Sequence, residues 1–225
     1  MSARTERTPR AERGRLRPAR LVVVTGTGTE VGKTWWSAAL ATALRDRGRT
    51  VAVRKPVQSF APTDDPAATD AAVLGTATGE PAATVCPPHR WLAAPMAPPM
   101  AAARLGLAPF TIADLVAETT WPDATQVGLV EGAGGLRSPL AVDGDTRDLI
   151  DALVADDVLV VAPAGLGVIH GVRLVVDALP AHRITVALNR FDPADDLHRA
   201  NREWLEQRDG LTVVTEPGDL AARWA

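Results

Sequence analysis

Short apolar runs alternate with amphipathic stretches along most of the chain. LVVVT (21–25), QVGLVE (126–131) and DVLVVAPAG (157–165) are apolar almost throughout, which is typical of strands buried on both faces. GKTWWSAALATALRDRG (32–48) instead repeats apolar residues at helical spacing and ends at glycine. Strands that alternate with helices in this way predict an α/β fold, a mostly parallel sheet with helices on both faces.

The same patterns extend to the end of the chain. The other predicted strands cover residues 50–56, 183–190 and 211–217. The other predicted helices cover residues 68–78, 112–120, 146–156, 168–179 and 194–208. Residues 87–109 are crowded with proline, so we expect a long loop with one helical turn there. We find no internal repeat or linker and predict a single domain over residues 21–225, with ligands at the carboxyl ends of its strands.

Composition narrows the possible functions. The chain is 46% hydrophobic and 23% charged, with a net charge of −3, which argues against a nucleic-acid or membrane-surface binder. Its longest near-apolar run, residues 158–169, is shorter than the ~20 residues that span a bilayer. The one cysteine, Cys86, excludes an internal disulfide and is consistent with a cytoplasmic location. Residues 1–20 are rich in arginine and lack the apolar block of a secretory signal, so we expect a disordered tail.

The first predicted strand leads into TGTGTEVGKT, which is typical of a phosphate-binding loop. The usual pattern is G-x-x-x-x-G-K-[ST], but Thr27 stands where that pattern has its first glycine. Gly28 and Gly32 allow backbone amides to surround phosphate oxygens. Lys33 would reach the β- and γ-phosphates, and the Thr34 hydroxyl would ligate Mg²⁺. The strand, loop and helix come in the order that such a site requires.

Three further residues follow predicted strands or begin a predicted helix. Lysine occurs only at Lys33 and Lys55 among the 24 Lys and Arg residues, which favours a functional Lys55 over a solvated one. Glu131 ends an apolar strand, where a carboxylate needs a cation such as Mg²⁺. Asp70 begins a helix, so it either ligates the metal or caps that helix. Together with the loop, these residues indicate an ATP–Mg²⁺ site with an additional lysine for phosphoryl transfer.

The order of these motifs resembles the dethiobiotin synthetase family from about residue 21 to residue 220. The resemblance rests on GTGTEVGKT (26–34), KPVQS (55–59), VEGAGG (130–135), Asp70 and Asn189. Members of that family share the altered loop with threonine at the position of Thr27. The resemblance implies a P-loop NTPase-like fold and an ATP-dependent carboxylation and ring closure of 7,8-diaminononanoate. CO₂ or bicarbonate is the carbon source, and the reaction proceeds through a carbamate that ATP phosphorylates.

The resemblance also implies roles for individual residues. Lys33 binds phosphate, Lys55 stabilises the carbamate and the transferring phosphoryl group, and Ser59 contacts the carbamate or substrate. The implied Mg²⁺ ligands are Thr34, Asp70 and Glu131. The implied ATP-binding residues are Gly28, Thr29, Glu30, Val31, Gly32, Lys33 and Thr34 in the loop, with Asn189 and Pro217 near adenine.

The resemblance further implies a homodimer in which a helix of the partner subunit holds the distal carboxylate of the substrate. In this chain that helix follows GLG (165–167), so Gly167 and His170 become substrate candidates. His170-Gly171 departs from the Asn-His of the family, and His170 either replaces the asparagine or packs the helix. Further departures are Phe60 for glycine, Trp35-Trp36 for smaller residues, and Ala97-Pro98-Pro99-Met100 in the proline-rich segment.

Two other functions remain compatible with the loop. One is a related ATP-dependent ligase or amidotransferase that acts on a different amine, which the departures near the substrate tail would favour. The other is a switch ATPase whose output is the binding of a protein partner. Chromosome-partitioning proteins of that kind carry an additional lysine in the loop, where this chain has Gly28. That position therefore argues against the switch ATPase.

Overall fold

The computed structural model describes residues 17–224. Residues 1–16 of the predicted tail lie outside this range. Residues 17–20, the last four of that tail, lie against the domain. The Arg17 side chain pairs with Asp156 at 3.0 Å, and the Ala19 amide donates to the Thr125 carbonyl at 3.1 Å. Arg20 is already the first residue of a strand. Within the described range, no helix is long and apolar enough to cross a bilayer.

Parallel strands form the centre of the fold, as the sequence predicts. The strands of the central sheet are β1 (Arg20–Gly26), β2 (Val51–Arg54), β5 (Val127–Glu131), β8 (Asp157–Pro163), β9 (Ile184–Asn189) and β10 (Thr212–Val214). Their order across the sheet is β10-β9-β8-β1-β5-β2, and each neighbouring pair is parallel. Shorter pairs lie beside it, namely β3 (Gln58–Ser59) with β4 (Trp91–Leu92) and β6 (Pro139–Ala141) with β7 (Gly144–Asp145).

The helices connect these strands. They are α1 (Lys33–Arg45), α2 (Asp70–Thr78), α3 (Ala82–Val85), α4 (Pro98–Arg104), α5 (Ile112–Glu118), α6 (Thr146–Leu153), α7 (Val168–Asp177), α8 (Asp196–Gln207) and α9 (Pro217–Trp224). The predicted loop over residues 87–109 contains α4 and β4, so it is more regular than expected. Pro98 and Pro99 begin α4, where proline is tolerated because the first amides of a helix need no intrahelical acceptor.

Side chains of β1 alternate between two apolar layers, which explains why this strand is apolar throughout. Val22 and Val24 pack in the same layer as Trp36 of α1, whereas Val23 packs in the layer that contains Ile150 of α6. Helices therefore cover both faces of the sheet, as predicted. β1 lies between β5 and β8, and the register pairs Val24 with Glu131. The carboxyl ends of these strands thus open on one edge, where open α/β sheets bind their ligands.

Candidate active site

The loop after β1 is held tightly from behind. Gly32 has φ +96°, and a Cβ added to it would lie 2.0 Å from Asn189 Nδ2. That same amide nitrogen donates to the Val31 carbonyl at 2.9 Å, so the end of β9 supports the loop. Lys33 Nζ turns back and donates to the Gly28 carbonyl at 3.1 Å. Glycine at position 32 is therefore required both by the backbone conformation and by the close approach of Asn189.

Thr34 brings two carboxylates together at the start of α1. Its Oγ1 lies 2.8 Å from Asp70 Oδ1 and 2.8 Å from Glu131 Oε1. The second oxygen of Glu131 accepts from the Ser37 hydroxyl at 2.7 Å, one turn further along α1. A hydroxyl carries one proton, so Thr34 can donate to only one of the two carboxylates at a time. The three side chains predicted as metal ligands are therefore adjacent. The Asp70 carboxylate contacts Thr34 and does not cap α2.

Lys55 lies in the same cluster. It follows β2 directly and is only 2% exposed. Its Nζ lies 2.7 Å from Asp70 Oδ2, 2.8 Å from Glu131 Oε1 and 3.1 Å from the Gly132 carbonyl. The Lys55 amide also donates to the Val85 carbonyl, which fixes the backbone behind the side chain. A solvated surface role for this lysine is thus excluded.

The charges of the cluster shift one another. Burial alone would lower the pKa of Lys55, but Asp70 and Glu131 outweigh it and raise that pKa above its ordinary range. Lys55 in turn holds the pKa of Asp70 below its usual range, against the opposing effect of burial. Burial, followed by repulsion from Lys55, lowers the pKa of Lys33 to about 8. At neutral pH the ammonium of Lys55 therefore faces the ionised carboxylate of Asp70.

These residues line one cleft of about 610 Å³. Its polar side contains Thr29, Glu30, Gly32, Lys33, Thr34, Lys55, Ser59, Asp70 and Glu131. Ser59 Oγ is buried there without a hydrogen-bond partner among residues 17–224. The lining also includes an apolar wall of Phe60, Pro95, Met96 and Pro98. The cleft can therefore take a ligand that has an anionic part and an aliphatic part.

The donor set fits a divalent cation that arrives with a nucleotide. Within the described part of the chain, no three His, Cys, Asp or Glu side chains form a metal-binding group of their own. Two carboxylates that each lie 2.8 Å from one hydroxyl suit Mg²⁺, which takes few protein ligands and completes its shell with phosphate and water. Thr34, Asp70 and Glu131 could hold it.

Six predicted site residues are not part of the lining of this cleft, namely Gly28, Val31, Asn189, Pro217, Gly167 and His170. Asn189 supports the loop from behind, and Pro217 begins α9, which packs against α1. Gly167 caps α7, and His170 is exposed on its first turn. A Cβ at Gly171 would lie 3.3 Å from the Thr27 Cβ, so the first turn of α7 borders the beginning of the loop. No residue of α7 itself lines the cleft.

Sequence reasoning missed two residues beside the cluster of Thr34, Lys55, Asp70 and Glu131. Ser37 bonds Glu131 from α1, and helical spacing from Lys33 could have indicated it. Ser138 lines the cleft and its Oγ accepts from the Gly135 amide at 2.9 Å. Ser138 lies in the turn that follows the glycines after Glu131. Serine is common in turns, so the local sequence did not indicate that Ser138 lines a cleft.

Proteins of similar length resemble this chain in sequence. A protein-family model described as an AAA domain matches residues 20–216. The ATP-dependent dethiobiotin synthetase BioD of Rhodococcus erythropolis is 40% identical over 200 residues, covering 86% of this chain and 86% of that protein. Proteins of the same name from Caulobacter sp. and Haloferax mediterranei are 41% and 36% identical, each over 86% of this chain and over 86% and 82% of their own lengths.

Solved structures share the fold at low sequence identity. A putative plasmid partition protein from Borrelia burgdorferi, bound to AMPPNP, aligns with a TM-score of 0.51 and 14% identity over 92% of this chain and 89% of that one. The signal recognition particle receptor FtsY from Elizabethkingia anophelis aligns with a TM-score of 0.50 and 15% identity over 95% of this chain and 68% of that one. These similarities establish a P-loop NTPase-like fold and nothing about the reaction.

Proposed function

The chain belongs to the family of ATP-dependent dethiobiotin synthetases, and we propose that it closes the cyclic urea of dethiobiotin on 7,8-diaminononanoate, using CO₂ and Mg²⁺-ATP. The predicted family is thus confirmed. The observation that carries the reaction is the buried Lys55, whose Nζ bonds two carboxylates that both contact Thr34 of the phosphate loop. Through these carboxylates, Lys55 lies beside the loop that would hold the phosphates of the nucleotide.

The proposed chemistry requires three bond-forming steps. One amine attacks CO₂ and loses a proton, which gives a carbamate. A carbamate oxygen then attacks the γ-phosphorus of ATP, and ADP leaves. The second amine attacks the carbamate carbon, closes the ring, and expels phosphate together with the carbamate oxygen, as its own proton is released. Each step develops negative charge on oxygen, so fixed positive charge and correct positioning lower its barrier.

The residues of this chain supply those two elements. Lys33 binds the β- and γ-phosphates, and the ammonium of Lys55 faces the carbamate and the transferring phosphoryl group. Ser59 donates to the carbamate a hydroxyl that has no hydrogen-bond partner among the described residues, in keeping with its burial in the cleft wall. Thr34, Asp70 and Glu131 hold Mg²⁺, which neutralises phosphate charge when it is bound. The loop residues Gly28, Thr29, Glu30, Val31 and Gly32 surround the phosphates with their backbone.

Substrate recognition divides between two parts of the molecule. The apolar wall with Phe60 and Met96 suits the alkyl chain of the substrate. We propose that the distal carboxylate meets the start of α7 of a second subunit, where Gly167 and His170 lie, because the amino end of a helix favours anions. Asn189 and Pro217 would border adenine. A cytoplasmic location stays a prediction.

The reaction is tested by supplying Mg²⁺-ATP, bicarbonate and 7,8-diaminononanoate, and measuring dethiobiotin by mass spectrometry together with ADP. We expect equal amounts of dethiobiotin and ADP, and neither product when the diamine is omitted. ADP release that is stimulated equally by other diamines, without dethiobiotin, would contradict the substrate and favour the ligase for a different amine. ADP release that ignores every amine would contradict the synthetase chemistry altogether.

A further inference from the structure

Helix α2 begins without a side-chain cap of its own. Thr69 occupies the N-cap position, where threonine usually accepts a hydrogen bond from an amide of the first turn. Here its Oγ1 instead donates to the Pro66 carbonyl at 3.0 Å, and it accepts from no amide of α2. The first amides of a helix lack intrahelical acceptors, so this end of α2 needs an acceptor from elsewhere.

Gln58 supplies that acceptor from thirteen residues earlier in the chain. Its Oε1 accepts from the Ala71 amide at 2.9 Å, and the side chain is 2% exposed. Its backbone is held in β3, where it pairs with Trp91 of β4. The other end of the carboxamide, Nε2, is buried without a hydrogen-bond partner in the described part of the chain. Of the two polar atoms of this carboxamide, the oxygen is therefore the one that makes a hydrogen bond within the described part of the chain.

The amide that Gln58 holds adjoins a residue of the catalytic cluster. Asp70 directly precedes Ala71, and its two oxygens lie 2.8 Å from Thr34 Oγ1 and 2.7 Å from Lys55 Nζ. Ser59 follows Gln58 on the same short strand, and neighbouring strand residues point to opposite faces. Ser59 lines the cleft while Gln58 reaches α2. One two-residue strand thus fixes a hydroxyl on the substrate side and a carboxylate on the metal side.

We propose that Gln58 is a positioning residue for Asp70, which holds the first turn of α2 so that this carboxylate reaches the Mg²⁺ of bound nucleotide. The inference rests on the role of Asp70 within the proposed function. Without the Gln58 oxygen, the Ala71 amide loses its acceptor in a buried setting, and the first turn of α2 shifts toward water. Asp70 then approaches Thr34 less closely, and more Mg²⁺ is needed to bind the nucleotide.

The test compares three variants of the full chain by AMPPNP binding over a Mg²⁺ titration. Gln58→Met keeps the length of the side chain and removes the acceptor. Gln58→Glu keeps an acceptor oxygen, replaces the nitrogen that has no partner among residues 17–224, and adds a negative charge. Thr69→Val keeps the shape of the nominal cap residue and removes its hydroxyl. We expect Gln58→Met to raise the half-saturating Mg²⁺ concentration ~10-fold relative to the wild type. Gln58→Glu and Thr69→Val should both keep that concentration near the wild-type value.

Hydrogen exchange at the Ala71 amide provides a readout that needs no ligand. We expect faster exchange in Gln58→Met than in the wild type and in Thr69→Val. Equal Mg²⁺ dependence in Gln58→Met and the wild type, with only a lower melting temperature, would overturn the proposal and make Gln58 a purely structural residue. Equal shifts in Gln58→Met and Thr69→Val would overturn it too, because a general weakening of α2 would explain both. Failure to form dethiobiotin, with the Mg²⁺ shift intact, would count against the proposed reaction alone.

Discussion

The cleft beside α1 and the start of α7 lie on the same edge of the sheet but are built differently. In the cleft, Lys55 and Glu131 are buried and joined by direct ionic contacts. At the start of α7, Leu166 is 91% exposed and His170 also faces solvent. A single chain therefore preorganises the groups that we propose for phosphoryl transfer, whereas it leaves the proposed site for the substrate tail open. We infer that the second region acquires its shape from another subunit.

Removal of the buried lysine should have the largest effect. Lys55→Ala takes away the cation shared by Asp70 and Glu131, and we expect dethiobiotin formation to fall on the order of 10³-fold. AMPPNP binding should be retained, because the phosphate loop is intact. Steady-state kinetics beside a binding titration checks both statements. Activity within tenfold of the wild type would remove Lys55 from the chemistry.

Glycine substitutions compare the two regions under the same backbone strain. Gly32 and Gly167 have φ +96° and +89°, so alanine at either costs roughly 1–2 kcal/mol of strain. Only at Gly32 would the new Cβ meet Asn189, since nothing lies within 4 Å of it at Gly167. We expect Gly32→Ala to weaken AMPPNP binding on the order of 100-fold by displacing the loop, and Gly167→Ala to leave it unchanged. Equal losses of AMPPNP affinity in the two variants, measured by calorimetry, would show that backbone strain alone accounts for the effect.

A charge at the exposed start of α7 should affect the substrate without affecting the nucleotide. We expect Leu166→Asp to weaken self-association in sedimentation experiments and to raise the KM for the diamine about tenfold, because a buried contact with a second copy would be lost. Val154→Asp is the matched control, since Val154 is 72% exposed but precedes β8 at the opposite edge of the sheet. A wild-type KM in a monomeric Leu166→Asp variant would refute the shared site.

Thiol labelling should show that the backbone behind Lys55 is closed to reagents in the native protein. Burial raises the pKa of Cys86 to about 12, so at pH 8 the thiol stays protonated and inaccessible. We expect no reaction of Cys86 with a thiol reagent until the protein is unfolded. Val154→Cys, at a position that is 72% exposed and lies away from the proposed subunit contact, should label immediately. Rapid labelling of native Cys86 would mean that the backbone behind Lys55 opens readily.

The proximity of Thr34, Lys55 and Glu131 was predictable because Lys55 and Glu131 follow strands of one parallel sheet and Thr34 follows its phosphate loop. Lys55 and Glu131 end neighbouring strands, and Thr34 is fixed by the loop motif, so the topology alone brings them close. The cap of α2 was not predictable in this way. Thr69 is the local candidate for that cap, and only the folded structure brings Gln58 to the Ala71 amide.

Two segments show where local patterns are too weak. α9 (Pro217–Trp224) was not predicted, because eight residues that begin with proline and glycine resemble the end of a loop. The paired tryptophans were also ambiguous. Trp36 is fully buried in the core, whereas its neighbour Trp35 is 55% exposed and meets it edge to face. Helix periodicity predicts that one of the two faces the core, but not the function of the other.

The most direct test of the account follows oxygen from bicarbonate. If the γ-phosphoryl group is transferred to a carbamate, ring closure expels phosphate that carries a carbamate oxygen. Turnover in ¹⁸O-labelled bicarbonate, quenched before exchange with water, should therefore yield phosphate with one ¹⁸O atom for each dethiobiotin formed. Phosphate without ¹⁸O would mean that ATP is hydrolysed by water, and would contradict phosphoryl transfer to a carbamate beside Lys55.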